Sequence, residues 1–126
     1  MLIGRRHVRS GNSWMHNYAR LMRGKPRCTL LVHPDDAASR GLTDGEKATV
    51  SSAVGSVEAL IEVSDEIRPG VVSLPHGWGH NRPGIRLGVA AEQPGTSVND
   101  LTDPSFIDAV SGNAALSGVP VTVQVL

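Results

Sequence analysis

Cys28-Thr29-Leu30-Leu31-Val32-His33-Pro34-Asp35-Asp36-Ala37-Ala38-Ser39-Arg40-Gly41-Leu42-Thr43-Asp44-Gly45-Glu46 reads as strand, short helix and turn in quick succession. Cys28 to Val32 is a short apolar run of strand length. His33 to Gly41 predicts a helix: Pro34 suits its first turn, Asp35 and Asp36 suit the positive end of its dipole, and Gly41 suits the position just past its end. Thr43-Asp44-Gly45-Glu46 is a turn. Downstream, Lys47 to Ser52 and Ser56 to Val63 alternate imperfectly and join through Ala53-Val54-Gly55, which predicts a hairpin. Pro69-Gly70 turns the chain into an apolar strand, Val71 to Leu74, and a long loop covers 75 to 97. Thr102 or Asp103 is suited to cap a short helix over Pro104 to Val110. Val119 to Leu126 reads as a closing strand with Pro120 where an edge tolerates it.

Upstream, Leu2-Ile3-Gly4 is a short strand, and 5 to 27 is a second long polar segment with room for a helical turn at Tyr18 to Met22. Loops this long in a small domain are usually functional or covered by a partner. Six or so short strands with two short helices make the chain mainly β and point to a small β-barrel. No G-x-G-x-x-G follows a strand into a helix, Gly77-Trp78-Gly79 is too little, and there is no P-loop.

The 126 residues predict one domain, spanning 1–126. Only 3% of residues are aromatic, so the core must be Val, Leu, Ile and Ala, and both tryptophans fall in loops. Twelve basic residues balance twelve acidic ones, which argues against a general nucleic-acid binder. The basic residues are uneven: Arg5, Arg6, Arg9, Arg20, Arg23, Lys25 and Arg27 share a stretch with no acid, suited either to phosphate or to a solvated surface. The single Cys28 excludes an internal disulfide and a cysteine-ligated cluster. No apolar run is long enough to span a bilayer, and with no signal peptide the expected location is cytoplasmic.

Asn12-Ser13-Trp14-Met15-His16-Asn17 and Pro75-His76-Gly77-Trp78-Gly79-His80 share a chemistry. Each follows a short apolar strand and sets His and Trp beside small residues, as a large, polar, phosphate-bearing ligand requires. Two such loops in one small domain suggest one shared site. Arg5 and Arg6 suit bidentate pairing with pyrophosphate, or simple exposure. Asn12 and Ser13 offer amide, hydroxyl and backbone N–H groups, or a turn bonded to its own backbone. Trp14 and Trp78 suit stacking on planar rings or shielding of the loop bases. His76 is a polar contact or a structural histidine, with His16 and His80 the weaker candidates. His76-x-x-x-His80 lacks a third zinc ligand.

Taken in order, Gly4-Arg5-Arg6, Asn12 to Asn17, Val32-His33-Pro34-Asp35-Asp36-Ala37-Ala38, Gly41-Leu42-Thr43-Asp44-Gly45-Glu46, Arg68-Pro69-Gly70-Val71-Val72, His76-Gly77-Trp78-Gly79 and Val98-Asn99-Asp100-Leu101-Thr102 resemble a known family. The chain is similar to the C-terminal molybdopterin dinucleotide-binding domain of the dimethyl-sulfoxide-reductase superfamily, which includes formate dehydrogenases and nitrate reductases. The resemblance implies a double-psi β-barrel and a bis-molybdopterin guanine dinucleotide, its molybdenum or tungsten held by other domains. It implies that Gly4, Arg5, Arg6, Asn12, Ser13, Trp14, His76, Gly77, Trp78, Asn99 and Asp100 face the cofactor, with Asn99 and Asp100 at a strand end on the guanine edge. It also implies that the chain is not catalytic alone. The expected partners are the remaining catalytic domains of the same enzyme, if this is an excised piece, or a separate catalytic subunit. The family's Pro-Glu-Tyr-Lys-like ending is replaced here by Ser111 to Pro120.

Two other classes fit a small barrel. A pyruvoyl-dependent decarboxylase cleaves itself at Gly-Ser, and Gly55-Ser56 is present, though in the predicted hairpin. A substrate-recruiting module like those on ring ATPases needs a peptide groove. The nucleotide reading makes the sharper demand: Arg5, Arg6, Ser13, His76 and Asn99 must converge on one side of the barrel.

Overall fold

Lys47–Ser51 and Ser56–Val63 form the antiparallel hairpin, pairing Lys47 with Leu60 and Ser51 with Ser56. Ser52 closes it, its Oγ accepting the N–H groups of Val54 and Gly55 at 3.2 and 3.3 Å. In the computed structural model, which describes residues 1–126, these strands are β3 and β4 of one six-stranded sheet. The others are β1 (Leu2–Arg5), β2 (Thr29–Val32), β5 (Val72–Pro75) and β6 (Thr122–Val125). The order is β1-β5-β2-β4-β3-β6. β1 runs parallel to β5 and β2 parallel to β4, while β2–β5, β3–β4 and β3–β6 are antiparallel. The sheet is open between β1 and β6. The approach to β6 reaches β1 through one bridge, Leu2 to Val119, whose N–H groups and carbonyls exchange bonds of 2.8 and 3.1 Å.

The core is aliphatic, as the shortage of rings requires. Leu2, Leu30, Val32, Val50, Ile61, Leu74, Val98 and Leu101 are buried together with small alanines. Each such side chain contributes roughly 1.5–3 kcal/mol on burial. Helix α1 covers Ala19–Met22 and α2 covers Pro34–Arg40. His33 Nδ1 accepts the Asp35 N–H at the start of α2, and Gly41 ends it at φ 64°. The Asp36 carboxylate accepts from Arg40 within α2 and from the Gly70 N–H at the turn before β5. The Gly70 bond, opposed by partial desolvation and aided by Arg40, holds Asp36 below the usual carboxylate range. No helix is long and apolar enough to cross a membrane.

Three local expectations fail. Pro104 to Val110 is not a helix but turns and one bridge, Ile107 to Ala114. Asp103 accepts the Ser105 N–H and Asp108 accepts those of Val110 and Ser111, so side chains take donors a helix needs. Phe106, Ile107 and Val110 are all exposed, leaving such a helix no apolar face to bury. Asn99 and Asp100 lie in a 3-10 turn, Val98–Leu101, rather than at a strand end. The loop after Pro75 contains a helix, α3 (Gly88–Glu92). Its N-terminal N–H groups, Val89 and Ala90, donate to Asn17 Oδ1 at 3.1 and 3.2 Å.

Candidate functional site

The parallel pairing of β1 with β5 sets Arg5 opposite Pro75, so the two ligand-type loops leave the same end of the sheet. Glycines let them touch. A Cβ on Gly4 would lie 2.0 Å from His76 Nε2, so the imidazole rests on the bare backbone of β1. The His76 N–H donates to the Arg5 carbonyl at 3.1 Å. Gly77 has φ +89°, and a Cβ there would lie 2.3 Å from the Asn12 carbonyl oxygen. The Asn12–Ser13 peptide is therefore pressed against Gly77, and Asn12 is held in left-handed backbone at φ 63°. Arg6 donates to Asn12 Oδ1. The N–H groups of Asn12, Ser13, Gly77 and Trp78 make no hydrogen bond within the chain. Free backbone donors beside an exposed guanidinium and an imidazole suit an anionic, polar ligand. Burial, and Arg6 nearby, hold His76 below the ordinary imidazole range, so it is neutral at pH 7.

Beneath this surface lies a buried aromatic cluster. His16 Nδ1 is 2.7 Å from His80 Nε2, and the His16 ring lies 4.0 Å from that of Trp78. His16 is fully buried, and Trp78 and His80 are nearly so. Burial, then His80 and Arg27, push His16 down to about 4, against the pull of the Gly77 backbone. His16 Nε2, Trp78 Nε1 and Ser10 Oγ are buried without partners.

A third segment joins from 94 to 100. Gly79 and His80 donate their N–H groups to the Pro94 carbonyl at 2.8 and 3.0 Å. A Cβ on Gly79 would sit 2.8 Å from Ser97 Cβ. A groove of about 680 Å³ runs past Trp78, Asn81, Thr96, Lys47 and Glu58. It shares Asn81, Gly95 and Thr96 with a polar hollow of about 250 Å³ that ends at Arg82 and Asp100. There Arg82 Nη2 donates to both oxygens of Asp100.

The expected residues separate by environment. Gly4, Arg6, Asn12, Ser13, His76 and Gly77 form one contiguous group. Arg5 turns inward instead: its guanidinium donates to the Ser73 carbonyl, and to the Thr29 carbonyl and hydroxyl at 2.7 and 2.8 Å. Thr29 passes its own hydroxyl hydrogen to Glu62. Trp78 is 7% exposed but Trp14 is 85% exposed, so the two tryptophans differ in kind. Asn99 is exposed and lies apart from that group, in the turn beside Ser97, which packs on Gly79, and Asp100, which packs on Gly55. Sequence reasoning ranked His16 and His80 low and missed Asn17 and Arg82. His16 and His80 carried one signal, their symmetrical positions in the two loops. No group of three or more His, Cys, Asp or Glu side chains is placed to hold a metal ion.

Comparison with known proteins identifies the family. The family model described as molydopterin dinucleotide binding domain matches residues 1–120. One chain of the tetrathionate reductase of Salmonella typhimurium is 29% identical over 83% of this chain and 12% of its own length. The dimethyl sulfoxide/trimethylamine N-oxide reductase of Rhodobacter capsulatus is 29% identical over 69% of this chain and 10% of its own. The chain thus spans about a tenth of each relative. Among solved structures, acetylene hydratase from Pelobacter acetylenicus matches with a TM-score of 0.81 at 22% identity, covering 99% of this chain and 18% of that one. That likeness concerns the fold.

Proposed function

The chain belongs to the molydopterin dinucleotide binding domain family of the dimethyl-sulfoxide-reductase superfamily, and from that premise we propose which of its residues grip the bis-molybdopterin guanine dinucleotide. Arg6, Asn12, Ser13, His76 and Gly77 hold the pyrophosphate and the pterin side. Arg6 supplies charge, the free N–H groups of Asn12, Ser13 and Gly77 approach the phosphate oxygens, and neutral His76 supplies a hydrogen bond. Asn99 and Asp100 take the guanine edge, an amide and a carboxylate suiting its donors and acceptor. Trp78 fixes the loop bases from beneath; Trp14 is free to stack on a planar ring. Arg5 belongs to the scaffold below the site. Redox chemistry is supplied by the metal, held by other domains, so this chain binds and orients.

The single observation that carries the reading is the contact of Gly77 with the Asn12–Ser13 peptide, which fuses two loops of the same ligand chemistry into one surface. The donor set fits the group: cationic and backbone donors at one end, a carboxylate in a polar hollow at the other.

A double-psi barrel is the finer fold proposed. The two parallel strand pairs and the Leu2–Val119 bridge across the open edge support it. We propose further that 1–126 is one domain of a larger oxidoreductase, whose other domains or subunits cover the first loop. Val8, Trp14 and Tyr18 are exposed there, 89%, 85% and 65%, and a covering surface would bury them.

The test is ligand selectivity. Isolated, the chain should bind GDP in the micromolar to millimolar range, since only part of the full interface remains. It should bind ADP more weakly and extended peptides not at all. Peptide binding without guanine-nucleotide binding would favour the recruiting-module class instead.

A further inference from the structure

We propose that Arg82 is a specificity-determining residue that holds the Asp100 carboxylate in the free domain and yields it to the guanine base. This rests on the assignment of the guanine edge to Asp100. Arg82 Nη2 donates to both carboxylate oxygens, and the Arg82 side chain makes no other hydrogen bond. One guanidinium nitrogen thus occupies both oxygens, and the N1–H/N2–H2 edge of guanine, a planar fork of parallel donors, needs the same two. The two therefore compete for one acceptor pair. Adenine offers an amine beside a bare ring nitrogen and cannot replace the fork.

The surroundings decide which partner moves. The Asp100 backbone is fixed: its carbonyl oxygen is packed so closely on Gly55 that a Cβ there would lie 2.4 Å away. Arg82 sits between Gly79 and Gly84, both at positive φ, and its backbone makes one hydrogen bond, its carbonyl accepting the Ile85 N–H. The hollow around the pair has no apolar lining; Asn81, Thr96 and Ser97 supply polar edges. The ion pair is wet, with side chains 54% and 38% exposed, so it is weak and easily displaced. Once displaced, the guanidinium remains beside the bound nucleotide, where the phosphates attract it. Removing Arg82 should then affect base and phosphate binding in opposite directions.

The experiment is an amide-shift titration of the full 126-residue chain with guanosine, adenosine and GDP, repeated for Arg82→Gln, Arg82→Lys and Asp100→Asn. Arg82→Gln should tighten guanosine by about two- to fivefold, the range a wet ion pair commands, while GDP gains less or loses. Arg82→Lys keeps one cationic nitrogen able to bridge both oxygens, so guanosine should gain less than in Arg82→Gln. Asp100→Asn should abolish the preference for guanosine over adenosine. If Asp100→Asn does so but neither Arg82 variant tightens guanosine, the competition is wrong and the Asp100 assignment stands. If Asp100→Asn leaves guanosine preference intact, or guanosine binds no variant, the Asp100 assignment fails and the role of Arg82 fails with it.

Discussion

His16 Nδ1 lies 2.7 Å from His80 Nε2, joining two buried imidazoles that are 64 positions apart. One bond of this kind needs one N–H and one bare nitrogen. It fastens the loop carrying Asn12 and Ser13 to the loop carrying His76 and Gly77. With Trp78 packed at a tilt against His16, it makes the floor of the proposed cofactor surface.

That floor should fail in acid. The folded His16 titrates near 4, against an ordinary value near 6.5, chiefly because it is buried. Between those values the unfolded chain binds more protons than the folded one, so stability falls as pH drops below about 6.5 and the loss is complete near 4. One proton can be shared across the pair, so the cost is less than the full shift, on the order of 2 kcal/mol. Urea midpoints at several pH values should show this slope, and His16→Gln should flatten it. An unchanged slope in the variant would place the acid sensitivity elsewhere.

Gly77→Ala should be costlier than Gly84→Ala. Both glycines have φ near +90°, at +89° and +87°, so both variants carry the backbone strain, about 1–3 kcal/mol. Only at Gly77 does the new Cβ meet Asn12, whereas nothing lies within 4 Å at Gly84. The difference in urea stability between the two variants measures the loop–loop contact. Equal losses would mean that the loops separate freely.

Arg5 and Arg6 should part company. Arg5→Ala removes donors from the Ser73 and Thr29 carbonyls and leaves half-buried acceptors unpaired, at a cost of about 1–3 kcal/mol. Arg6→Ala, at an exposed side chain, should leave thermal stability nearly unchanged and weaken GDP by severalfold. The reverse pattern in melting and titration would exchange their roles.

Much of this fold is readable locally. Pro34, Asp35, Asp36 and Gly41 specify α2 within nine residues, and the hairpin at Ser52 to Ser56 needs only its own turn. What could not be read depends on distant partners. Helix α3 is capped by Asn17, about 70 positions away. Arg5 and Arg6 look alike as letters, and only the positions of Thr29 and Ser73 separate them. The pairing of Arg82 with Asp100 spans 18 positions and bridges across helix α3, with no periodicity to reveal it. The failed helix at Pro104 to Val110 shows the converse: suitable capping residues were present, but Asp103 and Asp108 spent their side chains on turns and no core face lay nearby.

The purified chain should not turn over formate or nitrate with an artificial electron carrier. In the proposed reading the metal is held by other domains and this chain only binds and orients the cofactor. Turnover well above a blank would mean that chemistry resides in these residues after all.

The most direct test of the central claim is a residue-by-residue map of GDP binding. In an amide-shift titration of the ¹⁵N-labelled chain, shifts should concentrate in residues 4 to 16, 76 to 82 and 96 to 101, the three segments that meet at one end of the sheet. Shifts confined to the apolar surface around Val54, Phe106 and Ala115, with Arg6, Ser13 and His76 unmoved, would contradict it.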